Sequence, residues 1–332
     1  MSSDTTSAED KLIARYFGPL ATDPGALGLT DDAAFIKPPP GCELVLKTDA
    51  IVGGVHFFPD DPAHTVACKA LRVNLSDLAA KGARPLGFLV TLALPSDTSD
   101  AWLKSFADGL REDAATYKCP LFGGDTVRTP GPVMVSVATF GSVPEGKMVR
   151  RAGAKAGDKV FVTGTIGDAA LGLKVRTGAA GSSGWPLSDQ QRAHLFDRYL
   201  LPRPRSALAE AVLHYASASM DVSDGLVGDL TKLCRVSGIA AEIDAARVPL
   251  SDAGRAVLAA DLNARETAFT GGDDYEILCT VPPAKVDRFR VAAMAAKVAV
   301  TEIGTVGAGE GAKFRDAQGE PLAFRHGAFS HF

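Results

Sequence analysis

The stretch Asp221-Val222-Ser223-Asp224-Gly225-Leu226 places two carboxylates and a hydroxyl where an apolar strand pattern gives way to a helix pattern. In an extended chain alternate side chains share a face, so Asp221 and Ser223 are predicted to project to the same side. Asp224 would then lie near the N-terminus of the helix, where a role as N-cap needs no further function. Taken together, the oxygen donors of this segment favour a site for a metal ion and a phosphate group.

Further acidic segments follow the same pattern, each beside glycine or a small polar residue and next to an apolar run. They are Thr30-Asp31-Asp32-Ala33-Ala34, Lys47-Thr48-Asp49, Asn74-Leu75-Ser76-Asp77, Gly123-Gly124-Asp125-Thr126 and Gly271-Gly272-Asp273-Asp274-Tyr275-Glu276. Mg²⁺ takes oxygen ligands and usually shares them with water and phosphate. The recurrence of these segments therefore predicts a Mg²⁺-dependent enzyme that acts on phosphate groups.

Each of these segments also has a purely structural interpretation. An aspartate beside a turn is commonly an N-cap or an Asx-turn, which applies to the segments 30–32 and 48–49. Asp32 is explained less easily in this way, because it opens a predicted strand and not a helix. For Asp77 the alternative is an ion pair with Lys81, which contributes only about half a kcal/mol at an exposed site. We favour metal ligation for Asp77, because a buried carboxylate needs a partner or a metal. The glycines before Asp125 permit either an ordinary tight turn or a backbone nest that binds an anion.

Length and composition limit the class of protein. A chain of 332 residues predicts two domains of roughly 150 residues each. The net charge of −4 argues against a general nucleic-acid-binding protein. Five cysteines without a Cys-x-x-Cys spacing predict reduced thiols and a cytoplasmic protein. No apolar run reaches membrane-spanning length, and the polar N-terminus lacks the order of a signal peptide.

Helix and strand patterns alternate roughly along the chain, which predicts an α/β or α+β layer architecture. The segment 150–158 reads as a junction, so the predicted domains are 1–149 and 150–332. The main helix predictions are 7–17, 64–80 and 100–117. The main strand predictions are 33–36, 44–48 with Asp49 at its end, 88–94, 133–140, 159–163, 241–243, 276–281 and 301–306. The segment 220–226 is predicted to begin as a strand and to continue through an Asp-bearing turn toward a helix.

Several common catalytic patterns are absent from the sequence. The phosphate loop Gly-x-x-x-x-Gly-Lys-Ser/Thr does not occur, and Gly164-Thr165-Ile166-Gly167 lacks the lysine and is not a dinucleotide fingerprint. No Ser-His-Asp arrangement makes His56 a candidate for nucleophilic catalysis. No catalytic side chain is therefore predicted.

In their order along the chain, the motifs resemble those of thiamine-monophosphate kinases, within the wider aminoimidazole-ribonucleotide-synthetase-like ATP-binding superfamily. The segments that carry the resemblance are 30–34, 48–49, 54–57, 69–83, 123–126, 153–158, 221–226 and 271–276, and the resemblance runs from about Leu12 to the C-terminus. It implies ATP-dependent phosphorylation of thiamine monophosphate to thiamine diphosphate, with several Mg²⁺ ions and direct in-line transfer. It also implies a PurM-like fold, in which N-terminal mixed sheets form a shared barrel in a homodimer and an α/β domain follows.

The resemblance assigns roles to individual positions. The implied metal ligands are Asp32, Lys47, Thr48, Asp49, Asp77, Asp125, Asp221 and Asp224. The implied ATP contacts are Tyr117, Gly124, Asp125, Arg151 and Ser223. The implied contacts with thiamine monophosphate are His56, Asp273 and Phe329.

Three positions depart from the family pattern. Thr30 replaces a glycine, and Lys47 replaces a small hydroxyl residue, so only the backbone carbonyl of Lys47 is expected to serve the metal site. Asp273 replaces a glutamate, which keeps the charge and shortens the side chain. The alternatives are another ATP-using enzyme of the superfamily and a non-catalytic nucleotide-binding protein on the same scaffold. The complete acidic set argues against the second.

Overall fold

The computed structural model describes residues 11–179, 181–325 and 327, and these fall into two compact units. The first unit takes in the described residues up to Leu75 together with Arg84–Gly146. The second takes in Ser76–Ala83 and the described residues from Lys147 onward. Of the predicted helix 7–17, residues 7–10 lie outside the described part, and Ile13–Phe17 form a short helical segment.

The first unit is built on a sheet that has four strands among its described residues, in the order β1-β4-β2-β3. The strands are β1 (Cys42–Val52), β2 (Arg84–Leu94), β3 (Leu121–Arg128) and β4 (Met134–Pro144). β4 pairs antiparallel with β1 and β2, whereas β2 pairs parallel with β3. The sheet is therefore mixed, as the sequence predicted.

Two long helices accompany this sheet in the chain, α1 (Ala63–Ala80) and α2 (Asp100–Tyr117). The predicted apolar stripe of α1 is buried at each of its positions, which are Ala67, Leu71, Leu75 and Leu78. α2 begins where the Ser99 side chain accepts a hydrogen bond from Trp102 N, and it ends at Lys118, which has the left-handed conformation of a C-cap. Both predicted helices are confirmed.

Two strand predictions in the first unit need correction. Residues 33–36 form no strand, because Phe35 N bonds to Gly25 O in a loop and the prolines at 38–40 have no N–H for a ladder. The strand predicted over 44–48 is longer and runs to Val52. Asp49 therefore lies inside β1, opposite Val137 of β4, and not at the end of the strand.

The second unit contains a mixed sheet that has seven strands among its described residues, in the order β11-β10-β7-β9-β5-β8-β6. The strands are β5 (Lys159–Thr163), β6 (Ala218–Val222), β7 (Ala240–Asp244), β8 (Glu276–Val281), β9 (Val300–Gly307), β10 (Gly311–Arg315) and β11 (Pro321–Leu322). The helices are α3 (Asp168–Thr177), α4 (Asp189–Leu200), α5 (Ala209–Tyr215), α6 (Leu226–Ser237), α7 (Asp252–Ala260), α8 (Ala264–Thr270) and α9 (Val286–Ala295).

Both faces of this second sheet are covered. Val160 and Val162 of β5 belong to one buried cluster, which includes Leu230 of α6. Phe161, between them, belongs to another, which includes Phe289 of α9. Because alternate strand residues point to opposite faces, the apolar run of β5 serves two cores. The predicted α/β fold is confirmed. No helix in the described part of the chain has the length and hydropathy to cross a bilayer.

Candidate active site

A cavity of about 950 Å³ in the first unit brings together three of the predicted site residues. Asp32, Gly124 and Asp125 line it, with apolar side chains such as Leu46 and Phe140. The two carboxylates belong to exposed residues, so they meet solvent without the cost of burial. The cavity thus offers two carboxylate groups beside apolar side chains.

Gly123-Gly124-Asp125 forms no turn, which corrects both interpretations made from the sequence. These residues lie in β3, where Asp125 is in register with Thr91 of β2. Neither glycine has a positive φ, so the segment is not an anion-binding nest. A Cβ added to Gly124 would lie 1.8 Å from Val90 O. The glycine is needed because two strand backbones approach each other at this point.

Strand β1 holds three predicted metal ligands in consecutive positions. Thr48 Oγ1 donates to Val137 O at 3.1 Å. Lys47 and Asp49 lie two residues apart and share a strand face, and Lys47 Nζ lies 3.1 Å from Asp49 Oδ2. The ammonium group of Lys47 therefore contacts a predicted ligand directly, whereas the sequence suggested a role for its backbone carbonyl only.

Tyr117, a predicted ATP contact, is the last residue of α2. The guanidinium of Arg72 lies 5.9 Å from the centre of its ring. Arg72 is itself fixed by two hydrogen bonds of 2.7 and 2.8 Å to the buried carboxylate of Asp113. This bidentate pair holds the guanidinium beside the Tyr117 ring.

His56, a predicted substrate contact, is held by its backbone and by its ring. Its Nδ1 accepts a hydrogen bond from Val52 N at 3.1 Å. In a neutral imidazole the proton is then on Nε2, which acts as a donor. The buried side chain of Lys69 donates to the carbonyl of His56 at 2.9 Å.

In the second unit, the segment 221–226 joins β6 to α6. Asp221 is buried in β6, in register with Ile277 of β8. Asp224 is not the N-cap of α6, because Gly225 holds that position. The backbone N–H groups of Ser223 and Asp224 instead donate to Asp229 Oδ2, at 3.0 and 2.9 Å. The Asp224 carboxylate therefore does not cap the helix, and its Oδ2 instead accepts a hydrogen bond from Lys232 Nζ at 2.5 Å.

The segment 271–276 packs directly on the segment 221–225. Asp273 N donates to Ser223 O at 2.9 Å, and Tyr275 N donates to Val222 O at 2.8 Å. Asp273 and Tyr275 have positive φ values of 72° and 50°. A Cβ on Gly272 would lie 2.4 Å from Ser223 O. The structure thus joins a predicted ATP contact, Ser223, to a predicted substrate contact, Asp273.

A buried ionic network under this turn was missed by the sequence analysis. Arg198 of α4 lies 2.9 Å from Glu276 Oε1, and Arg205 Nε lies 2.6 Å from Glu276 Oε2. Arg198 also donates to the backbone carbonyl of Asp274 at 3.1 Å. Burial raises the pKa of Asp274 well above its usual range, and the hydrogen bond from Gly167 N opposes this. No local pattern marks the two arginines, since Arg198 lies within an ordinary helix and Arg205 follows it.

The remaining predicted positions are Asp77, Arg151 and Phe329. Asp77 is half-buried near the end of α1, and the Ser76 hydroxyl before it donates to Tyr275 O at 3.4 Å. Arg151 is exposed, and its carbonyl accepts a hydrogen bond of 3.1 Å from the Ser237 hydroxyl. Phe329 lies outside the described residues.

The donor set has the chemistry that a hard cation requires. The predicted ligands offer carboxylate, hydroxyl and carbonyl oxygens, and Asp32 and Asp125 are exposed. Across residues 11–179, 181–325 and 327, no three His, Cys, Asp or Glu side chains are grouped to hold a metal by themselves. Mg²⁺ commonly takes one or two carboxylates and completes its shell with water and substrate phosphates, so these residues fit the ion.

Comparison with known proteins identifies the class. Residues 30–143 match the family AIR synthase related protein, N-terminal domain, and residues 155–317 match the corresponding C-terminal domain. The chain is therefore an AIR synthase related protein. The thiamine-monophosphate kinase of Caulobacter vibrioides is 44% identical over 323 residues, which cover 95% of this chain and 90% of that protein. Within its class, the chain belongs to the thiamine-monophosphate kinase family.

Solved structures agree with this assignment. The crystal structure of thiamine-monophosphate kinase from Stenotrophomonas maltophilia K279a has a TM-score of 0.83 and 36% identity, and covers 97% of this chain and 99% of its own. A second structure, AaThiL complexed with AMPPCP and TMP, has a TM-score of 0.77 and 31% identity, and covers 98% and 94%. The family resemblance and the PurM-like α/β fold that it implies are both confirmed, whereas the shared barrel of a homodimer stays a prediction.

Proposed function

We propose that the protein transfers the γ-phosphoryl group of ATP to thiamine monophosphate, forming thiamine diphosphate and ADP. The observation that carries this proposal is the likeness over nearly the full chain to a relative complexed with AMPPCP and TMP. The identity of 44% to a named thiamine-monophosphate kinase supports it. A cytoplasmic location is proposed with it.

The acidic residues serve to neutralise charge in this proposal. The donor and acceptor phosphates are both anionic, and phosphoryl transfer depends on positioning and electrostatic stabilisation. The residues that would hold Mg²⁺ are Asp32, Lys47 through its carbonyl, Thr48, Asp49, Asp77, Asp125, Asp221 and Asp224. When bound, several Mg²⁺ ions would supply charge neutralisation and orientation for a direct in-line transfer.

The nucleotide and the acceptor are positioned by other groups. Arg151 donates charge-assisted hydrogen bonds to ATP phosphates, and Tyr117, Gly124, Asp125 and Ser223 complete the ATP contacts. His56 contributes its Nε2 donor, Asp273 a carboxylate suited to a cationic thiazolium ring, and Phe329 an aromatic surface. The acceptor phosphate is already ionised near neutral pH, since its second pKa is about 6. A general base is therefore not required.

A homodimer belongs to the same proposal. The exposed face of the first unit's sheet presents Leu44 and Leu46 from β1, which are 39% and 67% exposed. Apolar strand residues of this kind are typical of a surface that a partner covers. A mass of two chains in size-exclusion chromatography with light scattering is expected, and a monomer at micromolar concentration would reject the dimer.

The test is ADP release by purified protein with Mg²⁺ and ATP, with and without thiamine monophosphate, and with product identity checked by mass. Stoichiometric ADP and thiamine diphosphate are expected. D77N and D125N should abolish turnover and leave the fold intact, because each removes a charge that offsets the phosphates. D97N, at an exposed loop position, is the matched control and should keep wild-type turnover.

The alternatives give different outcomes in the same assay. ATP binding without stimulation by thiamine monophosphate would point to another acceptor within the superfamily or to a non-catalytic nucleotide-binding protein. Near-normal activity of both D77N and D125N at ordinary Mg²⁺ would reject the metal assignment and leave the fold assignment standing.

A further inference from the structure

An ammonium group lies on one of the predicted metal ligands of the second unit. Lys232 Nζ lies 2.5 Å from Asp224 Oδ2 and 2.9 Å from Asp229 Oδ1. The side chains of Lys232 and Asp224 are 31% and 40% exposed, so this pair reaches solvent. The ammonium group of Lys232 therefore lies where a metal ion bound by the Asp224 carboxylate would lie.

The two carboxylates that Lys232 contacts have different roles. Asp229 is completely buried, and its Oδ2 accepts the backbone N–H groups of Ser223 and Asp224. Asp229 is thus a structural anchor for the segment, and it holds Lys232 in place through its other oxygen. If a metal ion takes Asp224, Lys232 keeps a fully buried partner and needs no new one.

The first unit repeats this arrangement on a different element. Lys47 Nζ lies 3.1 Å from Asp49 Oδ2 on the same face of β1. The side chains are 28% and 42% exposed, close to the values for the pair in the second unit. A strand and a helix have thus each placed a lysine on a predicted ligand, independently of each other.

We propose that Lys232 and Lys47 are internal counter-ions that compete with Mg²⁺ for Asp224 and Asp49. Two cations on one carboxylate repel each other, so binding of the metal must displace the ammonium group. Each lysine keeps its aspartate neutralised at low Mg²⁺ and raises the concentration at which the site fills. The inference rests on the proposed function only in taking Asp224 and Asp49 as ligands.

The experiment measures binding of Mg²⁺ alone, by calorimetric titration of the nucleotide-free protein. K232Q is the principal variant, because glutamine keeps an N–H donor for Asp229 and removes the charge from Asp224. Loss of a partly exposed ion pair should lower the Kd for Mg²⁺ by about fivefold. K232R keeps the charge and should bind Mg²⁺ as the wild type does. K313Q removes an exposed lysine in β10 and should also leave the Kd unchanged.

The pair in the first unit gives a second test that does not depend on the folding of K232Q. K47S should lower the Kd for Mg²⁺ in the same direction. Equal Kd values for wild type, K232Q and K47S, or no measurable Mg²⁺ binding in any of them, would overturn the proposal. Weaker Mg²⁺ binding by the folded variants would overturn it too, because the lysines would then support the metal.

Product formation is followed separately on the same samples. A protein that makes no thiamine diphosphate, but whose K232Q variant binds Mg²⁺ more tightly, would reject the proposed function and support the competition. Normal product formation with unchanged Mg²⁺ affinity of K232Q would support the proposed function and reject the competition.

Discussion

The sequence Gly-Gly-Asp occurs at 123–125 and again at 271–273, and the two copies fold differently. The first lies in β3 and shows an exposed carboxylate. The second lies in a turn in which Asp273 has a positive φ and the next residue, Asp274, is buried. In both copies the second glycine lies against a carbonyl oxygen, that of Val90 or that of Ser223. The shared sequence thus reports a close backbone approach and not a particular turn.

The surroundings of the two copies differ in charge. Around the first, the carboxylates of Asp32 and Asp125 face a cavity and are exposed. Around the second, Asp274 and Glu276 are buried; Glu276 pairs with Arg198 and Arg205, whereas the Asp274 carboxylate accepts the N–H of Gly167. Exposed carboxylates are accessible to a metal ion, whereas the buried Glu276 carboxylate is already neutralised by two arginines. The difference separates acids that are predicted to bind a metal from an acid that holds the fold.

The largest effect is expected when a side chain is added at Gly124, in the first Gly-Gly-Asp copy. In G124A the added Cβ would lie 1.8 Å from Val90 O, so the pairing of β2 with β3 must break. We expect a loss of more than about 4 kcal/mol in the free energy of unfolding, or no folded protein. G123A is the control, because its Cβ would meet only the end of the Leu89 side chain, at 3.3 Å. Equal denaturant midpoints for G123A and G124A would contradict this account.

A smaller loss is expected when the network under the second copy is opened. R198M leaves the buried Glu276 with fewer donors, and such a change costs about 3 kcal/mol. R203M removes an exposed ion pair, in which the Arg203 guanidinium lies 2.5 Å from Asp197 Oδ2. Its loss should lower the free energy of unfolding by less than about 1 kcal/mol. Chemical denaturation of both variants checks the difference. A cost for R198M no larger than that for R203M would show that the buried network is dispensable.

The smallest effect concerns pH. Burial raises the pKa of Asp274, so above about pH 4 the folded protein binds more protons at this group than the unfolded chain does. The free energy of unfolding therefore falls as pH rises from the unfolded pKa toward the raised folded one. D274N removes the titrating carboxyl group and therefore this pH dependence of the free energy of unfolding. The amide oxygen of the new side chain can still accept the N–H of Gly167.

The measurement is the free energy of unfolding of D274N minus that of the wild type, across the same pH series. This difference should increase as pH rises, because the wild type alone loses the stability that the raised pKa of Asp274 supplies at low pH. Parallel curves for D274N and the wild type would mean that Asp274 titrates normally in the folded protein.

The sequence predicted most of the secondary structure because its signals are local. Helix α2 was located to both of its ends, where Ser99 and Lys118 provide caps within a few residues. The stripe of α1 was located in the same way, from one repeat of apolar residues. The errors arose where a distant segment decides the local structure. Gly123-Gly124-Asp125, for example, lies in a strand because β3 pairs with β2, whose residues lie more than 30 positions earlier in the chain.

The candidate site was predicted unevenly for the same reason. The acidic segments are visible in the sequence, and the family they indicate is confirmed. The contact between Ser223 and Asp273 is not visible, since it joins positions far apart in the chain. The sequence singled out Lys47 only for its backbone carbonyl, and Lys232 does not stand out from other lysines until its distance to Asp224 is measured. The metal, ATP and substrate roles of individual residues stay predictions until the variants are assayed.

The contact between segments 221–225 and 271–276 has a consequence for engineering. A Cβ on Gly225 would lie 2.6 Å from the carbonyl carbon of Thr270, and one on Gly272 would lie 2.4 Å from Ser223 O. Neither segment can therefore gain a side chain at these points, or be replaced, while the other keeps its path. A chimera that borrows one segment with a side chain at these points, or with a different backbone path, is therefore expected to need the other segment from the same relative.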